Sequence, residues 1–266
     1  MKTRRLSRLF QNGRSLNLAL DHHFFTDQTM GIDRAASMIP ALREAGLDAV
    51  LVTKGIAKMY ANELKDVGVY LRVDIATSIY SSSVSRVSPI ATVEEALALG
   101  VEGIVCMTFP GSEEEYETHR FVSELSEQAD RWNLVLLVES LPYTYAITTP
   151  ESNSAQKIAA AARIGVELGA DVIKTRLTGT EDDRLVIEQA KKPVLVLGGP
   201  PTNDKESFFS FIEHSIQIGA KGVAIGRNIW GDKHPLGMIK ALNAIVHQNQ
   251  SAKEALKIYQ REGETN

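Results

Sequence analysis

Cysteine is nearly absent: Cys106 is the single one in 266 residues, so no disulfide forms within the chain. Set among Ile104, Val105 and Met107, it reads as a small buried hydrophobe rather than a nucleophile. No Gly-x-Gly-x-x-Gly follows the first apolar run, which removes the main support for dinucleotide binding. The Gly-x-Ser-x-Gly elbow of a Ser-His-Asp hydrolase is missing too. No run reaches the roughly 18 apolar residues that a membrane-spanning helix needs. Residues 1–10 carry Lys2, Arg4, Arg5 and Arg8 but lack the apolar stretch of a secretory signal. Positive charge is not in excess, since the net charge is -4 and the pI near 5.9. There is therefore no general basic field for nucleic acid or an anionic membrane surface, and an anionic ligand must be met locally. These absences lead us to expect a soluble, cytoplasmic protein with neither nucleic acid nor membrane as a partner.

What is present is a βα rhythm. The chain is 44% hydrophobic and long enough to bury a large core as one domain spanning 1–266. Eight short apolar strands can be read: Leu16 to Asp21, Ala49 to Thr53, Val69 to Val73, Gly103 to Met107, Leu134 to Val138, the strand ending at Lys174, Pro193 to Leu197, and Val223 to Ile225. Helical stretches alternate with them, as Ile32, Ala35, Met38, Ile39 and Leu42 show within Gly31 to Ala45, closed by Gly46. Thr92 with Glu95 predicts a capping box, and Glu113-Glu114-Glu115 reads as an acidic first helical turn rather than a metal site. The pattern predicts an α/β fold, a single-domain TIM (β/α)8 barrel. Residues 1–14 are expected to form an N-terminal cap over its closed end, and residues 235–266 a helical segment polar on one side. The Ser-rich stretch Thr77 to Ser88 is either a lid over the rim or a plain solvent loop.

In such a barrel the C-terminal ends of the strands form the rim where ligands bind. The stretch Asp171-Val-Ile-Lys-Thr-Arg176 ends an apolar strand on Lys174, a lysine with no evident structural duty; a solvent-facing lysine is the plain alternative. A lysine attacks a carbonyl only as the neutral amine, and its iminium is an electron sink that lets a neighbouring C–C bond break or form. Arg176, two positions on, is expected to share its face and either to depress its pKa or to hold an anion. Asp21 and His22, ending the first strand, are candidates for moving protons. Gly198-Gly199 and Gly226-Arg227 end the last two strands, where such barrels often hold a phosphate on backbone N–H groups. Lys54 is either a further substrate contact or a surface lysine. His22-His23 has no Glu or Cys at ligand spacing, so no metal is expected.

Arg5-Leu-Ser-Arg-Leu-Phe10, Leu18-Ala-Leu-Asp-His22, Val172-Ile-Lys-Thr175, Gly198-Gly-Pro200 and Gly222-Val-Ala-Ile-Gly-Arg-Asn228 together resemble the archaeal-type class I (Schiff-base) aldolases. That family includes fructose-bisphosphate aldolases, the deoxy-heptulosonate-forming aldolase and the autoinducer-2 phosphate thiolase. The resemblance implies a TIM barrel in which Lys174 forms the Schiff base without a cofactor, Asp21 assists proton transfer, and the two glycine loops hold a substrate phosphate. It also implies a homo-oligomer, commonly a decameric ring. Two departures stand out. The tyrosine acid/base expected before the proline after strand five is Leu141 here, which leaves Tyr143, Tyr145 or Glu139 to replace it, and Asp-His-Gly has become Asp21-His22-His23. Arg176 stands where a smaller or uncharged residue is usual, hinting at a second negative group on the substrate. The expected activity is a carbon–carbon lyase acting on a small phosphorylated ketose or related ketone. The alternatives are a lysine-dependent acyltransferase using coenzyme A, like the thiolase, and a barrel that only binds a sugar phosphate.

Overall fold

A computed structural model of the chain describes residues 1–24, 26–27, 29–75, 80, 87–143 and 149–264. Ten strands run in order: β1 (Ser15–Ala19), β2 (Ala49–Val52), β3 (Gly68–Arg72), β4 (Asp74–Ile75), β5 (Ser88–Pro89), β6 (Gly103–Thr108), β7 (Val135–Ser140), β8 (Val172–Thr175), β9 (Val194–Leu197) and β10 (Gly222–Ile225). Eight of them close a parallel barrel in the order β1-β10-β9-β8-β7-β6-β3-β2. β4 and β5 form a separate antiparallel pair, Asp74 opposite Pro89.

The alternation of strand side chains sorts residues between lumen and outer face. Ala19, Leu51, Tyr70, Val105, Leu137, Val172, Leu195 and Ala224 fill the lumen as one cluster. Their neighbours Leu18, Val50, Leu71, Ile104, Leu136, Ile173, Val196 and Val223 face outward into the larger core shared with the helices. Both faces of the barrel are covered, so its strands are largely apolar on both, with buried polar side chains such as Ser15 and Asn17 held by hydrogen bonds.

The N-terminal helix Lys2–Leu9 closes one end, with Leu9 wholly buried in the lumen cluster and Leu6 and Phe10 packed beside it. Its polar side is fastened by Lys2 to Asp130 and Asp171, by Arg5 Nη1 donating to the Val101 carbonyl at 2.6 Å, and by Arg8 Nε 3.1 Å from Glu102. The expected cap is therefore an apolar plug with an ionic rim.

The Thr92–Glu95 capping box forms on the helix Val93–Ala98. The single helix expected over Gly31 to Ala45 is instead two, Thr29–Ser37 and Ile39–Glu44, because Pro40 lacks an N–H to continue the ladder and takes an early position in a new helix. The acidic run starts its helix later than expected, at Glu115. The C-terminal segment is also two helices: Pro235–Val246 is buried on nearly all sides, and the polar face belongs to Ala252–Glu264. Most of the Thr77 to Ser88 stretch that was considered for a lid, residues 77–79 and 81–86, lies outside the described residues. No helix among the described residues is long and apolar enough to cross a membrane.

Candidate active site

One lumen position beyond the apolar layer, the barrel becomes charged. Asp21 follows Ala19, Arg72 follows Tyr70, Glu139 follows Leu137 and Lys174 follows Val172, each two residues on and so on the same inward face. The register places Lys174 beside Glu139 across the β7–β8 seam. Lys174 Nζ donates to Glu139 Oε2 at 2.9 Å, and the lysine is only 3% exposed. Water is thus largely excluded from the pair, where charges interact most strongly.

Arg72 ties these groups together. Its Nε donates to Asp21 Oδ2 at 2.8 Å, its Nη2 to Glu139 Oε2 at 2.8 Å, and its Nη1 to Asp74 Oδ1 at 3.2 Å. Nη2 also lies 2.7 Å from Asp21 Oδ2. Asp74 is fully buried and takes a second hydrogen bond at 2.6 Å from the Met107 N–H.

The electrostatics follow from burial set against these partners. Burial works to raise the Asp21 carboxyl, but Arg72 and Lys174 outweigh it and hold Asp21 well below the usual carboxylate range. Glu139 is likewise lowered in spite of burial, through Lys174 and Arg72. Asp74 goes the other way: burial lifts it to about 6, more than Arg72 and the Met107 N–H bring it down. Burial pushes His22 down to about 4, so its imidazole is neutral at neutral pH. His22 Nδ1 stands 3.4 Å from Asp21 Oδ1 without hydrogen-bond geometry, and the ring meets Trp230 edge-on at 6.1 Å.

At the ends of β9 and β10, between β8 and β1, backbone replaces charge. Asn228, 3% exposed, donates through Nδ2 to the Gly198 and Pro200 carbonyls, both at 2.9 Å, and accepts from the Thr202 N–H at 2.9 Å. It staples the loop after β9 to the short helix Arg227–Trp230, which Gly226 precedes. Gly199 adopts a left-handed φ of +68° that favours glycine, and a Cβ at Gly226 would stand 2.5 Å from the His22 ring. Arg227 is exposed beside them, close enough for its charge to act on His22.

The structure thus brings together Asp21, His22 and Lys174, with Gly198, Gly199, Gly226 and Arg227 on the two strand ends that lie between β8 and β1. Arg176 is half-buried, its guanidinium pKa lowered by burial and raised in part by Glu139. Two expected residues stand elsewhere. Lys54 follows inward-facing Thr53 and therefore points outward, donating to Glu95 Oε1 at 2.7 Å on the helix Val93–Ala98. Alternation would send Tyr143 inward, but after Pro142 the backbone turns at φ +67°, and its hydroxyl donates to Glu151 Oε1 at 2.9 Å while Lys157 stands over its ring. Tyr145 lies outside the described residues. Leu141 does occupy an inward position, 2% exposed among Met107 and Phe109.

Arg72, Asp74 and Asn228 were not expected. Leu71-Arg72-Val73-Asp74 alternates charge with apolar side chains at period two, a signal that a strand carries two charges into the lumen.

The chain is thus a closed parallel α/β barrel whose lumen brings a buried lysine and carboxylates together at one end. Residues 16–232 match the DeoC/LacD family aldolase model, and the chain belongs to that family. It is 33% identical to the 2-amino-3,7-dideoxy-D-threo-hept-6-ulosonate synthase 1 of Archaeoglobus fulgidus, covering 96% of this chain and 95% of that one. It is 30% identical to the 3-hydroxy-5-phosphonooxypentane-2,4-dione thiolase of Photorhabdus laumondii, over 96% of this chain and 85% of the relative. Among solved structures, an archaeal fructose-1,6-bisphosphate aldolase with its catalytic lysine bound to the carbinolamine intermediate of its substrate superposes with a TM-score of 0.83 at 28% identity, covering 92% of this chain and 99% of that one.

Proposed function

We propose that this protein is a metal-independent Schiff-base aldolase that cleaves or forms a C–C bond in a small phosphorylated ketose or related ketone. The observation that carries the reading is Lys174 Nζ, buried in the lumen and 2.9 Å from Glu139 Oε2. In the cleavage direction, Lys174 passes its proton to Glu139, and the neutral amine attacks the substrate carbonyl to give a carbinolamine. A proton delivered to its hydroxyl lets water leave, and the iminium forms. The electrons of the adjacent C–C bond then flow into the iminium as a base takes the proton of the β-hydroxyl, releasing an aldehyde and leaving an enamine. Protonation of the enamine and hydrolysis return the lysine and the shortened ketone.

Glu139 is the proton carrier best placed to replace the missing tyrosine, because it touches the amine itself; Asp21 is the second. Backbone N–H groups at Gly198, Gly199 and Gly226, with the Arg227 guanidinium, are the phosphate cradle in this reading. Arg176, on the lysine's side, suits a further anionic group of the substrate.

The relatives' names span two chemistries, and one observation favours the second. Leu141 lies in an apolar wall with Met107 and Phe109 where the aldolase tyrosine was expected, a surface suited to the uncharged acyl end of a phosphorylated diketone. A lysine-dependent thiolase would pass that acyl group to coenzyme A. Borohydride reduction with dihydroxyacetone phosphate tests the leading reading, with an adduct expected on the peptide carrying Lys174. Absence of any adduct there would sink both covalent readings and leave a sugar-phosphate-binding barrel. Turnover of phosphorylated diketones only when coenzyme A is present would replace the aldolase with the thiolase.

A further inference from the structure

We propose that Arg72 is the positioning residue of this site: its forked guanidinium holds Asp21 and Glu139 in the lumen, in register with Lys174, as ionised proton acceptors. The proposal rests on Lys174 being the covalent centre, and it goes beyond that reading in assigning the site's organisation to a residue on a strand that carries none of the reacting groups.

The geometry leads to it in three steps. First, Arg72 is a full hub. Its Nε, Nη1 and Nη2 are all engaged by carboxylates, on Asp21, Asp74 and Glu139, and its side chain is only 7% exposed. A buried guanidinium with paired carboxylates fixes orientation in a way a single point charge does not. Second, Arg72 and Lys174 meet the same atom, Glu139 Oε2, at 2.8 and 2.9 Å. The place of that carboxylate relative to the amine is therefore set from the Arg72 side before any substrate arrives. Third, Arg72 is itself held from behind. Asp74 joins it at 3.2 Å and is pinned to the Met107 N–H at 2.6 Å, so the hub is tied to the barrel backbone at β6.

The charges facing the hub come from the ends of β1, β7 and β8 and from Asp74 in β4. Two cations, Arg72 and Lys174, meet three carboxyls, Asp21, Asp74 and Glu139. Arg176 adds a cation that acts on Glu139, neutral His22 and the Arg227 charge lie on the Asp21 side, and the Cys106 thiol, raised by burial, lies on the far side of Asp74. Asp21 and Glu139 are both held below the ordinary carboxylate range, with Arg72 among the causes in each. Their ionised forms are present above their folded pKa values and are lost as pH falls. Removing Arg72 raises those values, so the acid limb of activity moves toward neutral pH.

The experiment compares wild type, Arg72→Lys and Arg72→Met, each first tested for a borohydride adduct with dihydroxyacetone phosphate. In Arg72→Met the acid limb of kcat/KM is expected to rise by at least about one pH unit. Its kcat should fall by at least about tenfold through misplaced proton transfer. Arg72→Lys keeps the charge but not the fork, so its acid limb should stay near that of wild type while its kcat still falls. If Arg72→Met does not fold, Arg72→Met with Asp74→Asn removes the buried charge left without its cation, and the same limb shift is expected. A folded variant without Arg72 that keeps the wild-type pH profile and kcat overturns the proposal. So does an Arg72→Lys profile displaced as far as that of Arg72→Met, because the fork would then hold nothing the charge does not. A wild-type protein that forms no adduct fails at the earlier step and overturns the covalent reading itself.

Discussion

Two lysines at the mouth end of the barrel sit in regions that treat charge in opposite ways. Lys174 lies in the lumen, its side chain 4% exposed against a Glu139 side chain 3% exposed. Lys54 lies in the seam between the helices Lys54–Met59 and Val93–Ala98, its side chain 35% exposed against 42% for Glu95. The two ion pairs have nearly the same length, 2.9 and 2.7 Å, so distance does not distinguish them. Water does. In the seam it screens the pair and little energy rides on it. In the lumen the pair is bound into the Arg72 network, where losing one partner leaves a buried charge exposed to its neighbours. On the proposed reading, an ion pair becomes chemistry only where the barrel excludes solvent.

The largest effect that sharpens this contrast is expected from Lys174→Met. Turnover and the trapped adduct should both fall to background, since the amine is the only nucleophile assigned to the site. The fold should survive: breaking a buried pair costs about 3–5 kcal/mol, but Arg72 still compensates Glu139, so the loss should fall below that range. Thermal melting and circular dichroism check the folded state, and residual turnover with normal folding would remove Lys174 from its role. A middle-sized effect is expected at the strand ends between β8 and β1. Arg227→Ala should raise KM for phosphorylated ketones by about tenfold to a hundredfold, the worth of a charge-assisted hydrogen bond. Unphosphorylated analogues should be unaffected, and equal losses for both would place the phosphate elsewhere.

The contrast between the lysines also shows what the sequence could and could not reveal. Eight apolar strands, the plug and the capping box were legible because each depends on local pattern: period two, an amphipathic turn, or a Thr and a Glu three residues apart. Lys174 and Asp21 were legible because a charge ending an apolar run has few structural uses. Arg72 was missed because, apart from Asp74 two residues on, its partners come from β7 and from Asp21 beyond β1, and no spacing along the chain announces that longer-range convergence. Tyr143 was misplaced by a single left-handed residue after Pro142, a turn that alternation does not anticipate. Lys54 stood open between a substrate contact and a surface lysine for a simpler reason: whether the inward position at that strand end belongs to it or to Thr53, whose hydroxyl accepts from the Ile56 N–H and starts the next helix, depends on the strand's phase.

That parity argument makes the smallest predicted effect the most pointed one. Lys54→Met removes a cation from the mouth end of the barrel, at a strand terminus one residue out of phase with the lumen. If alternation decides function, its kcat/KM and acid limb should match wild type to within about twofold, as for other exposed pairs. Glu95 would still cap its helix, because it accepts from the Thr92 N–H through Oε2 while Lys54 uses Oε1. The helix start should therefore persist without the lysine, and melting temperatures should change little. Parallel kinetics on a phosphorylated ketone provide the check. A KM rise for Lys54→Met comparable to that of Arg227→Ala would mean that Lys54 leaves Glu95 when substrate binds, and the boundary between lumen and seam would then be set by the ligand rather than by the strand.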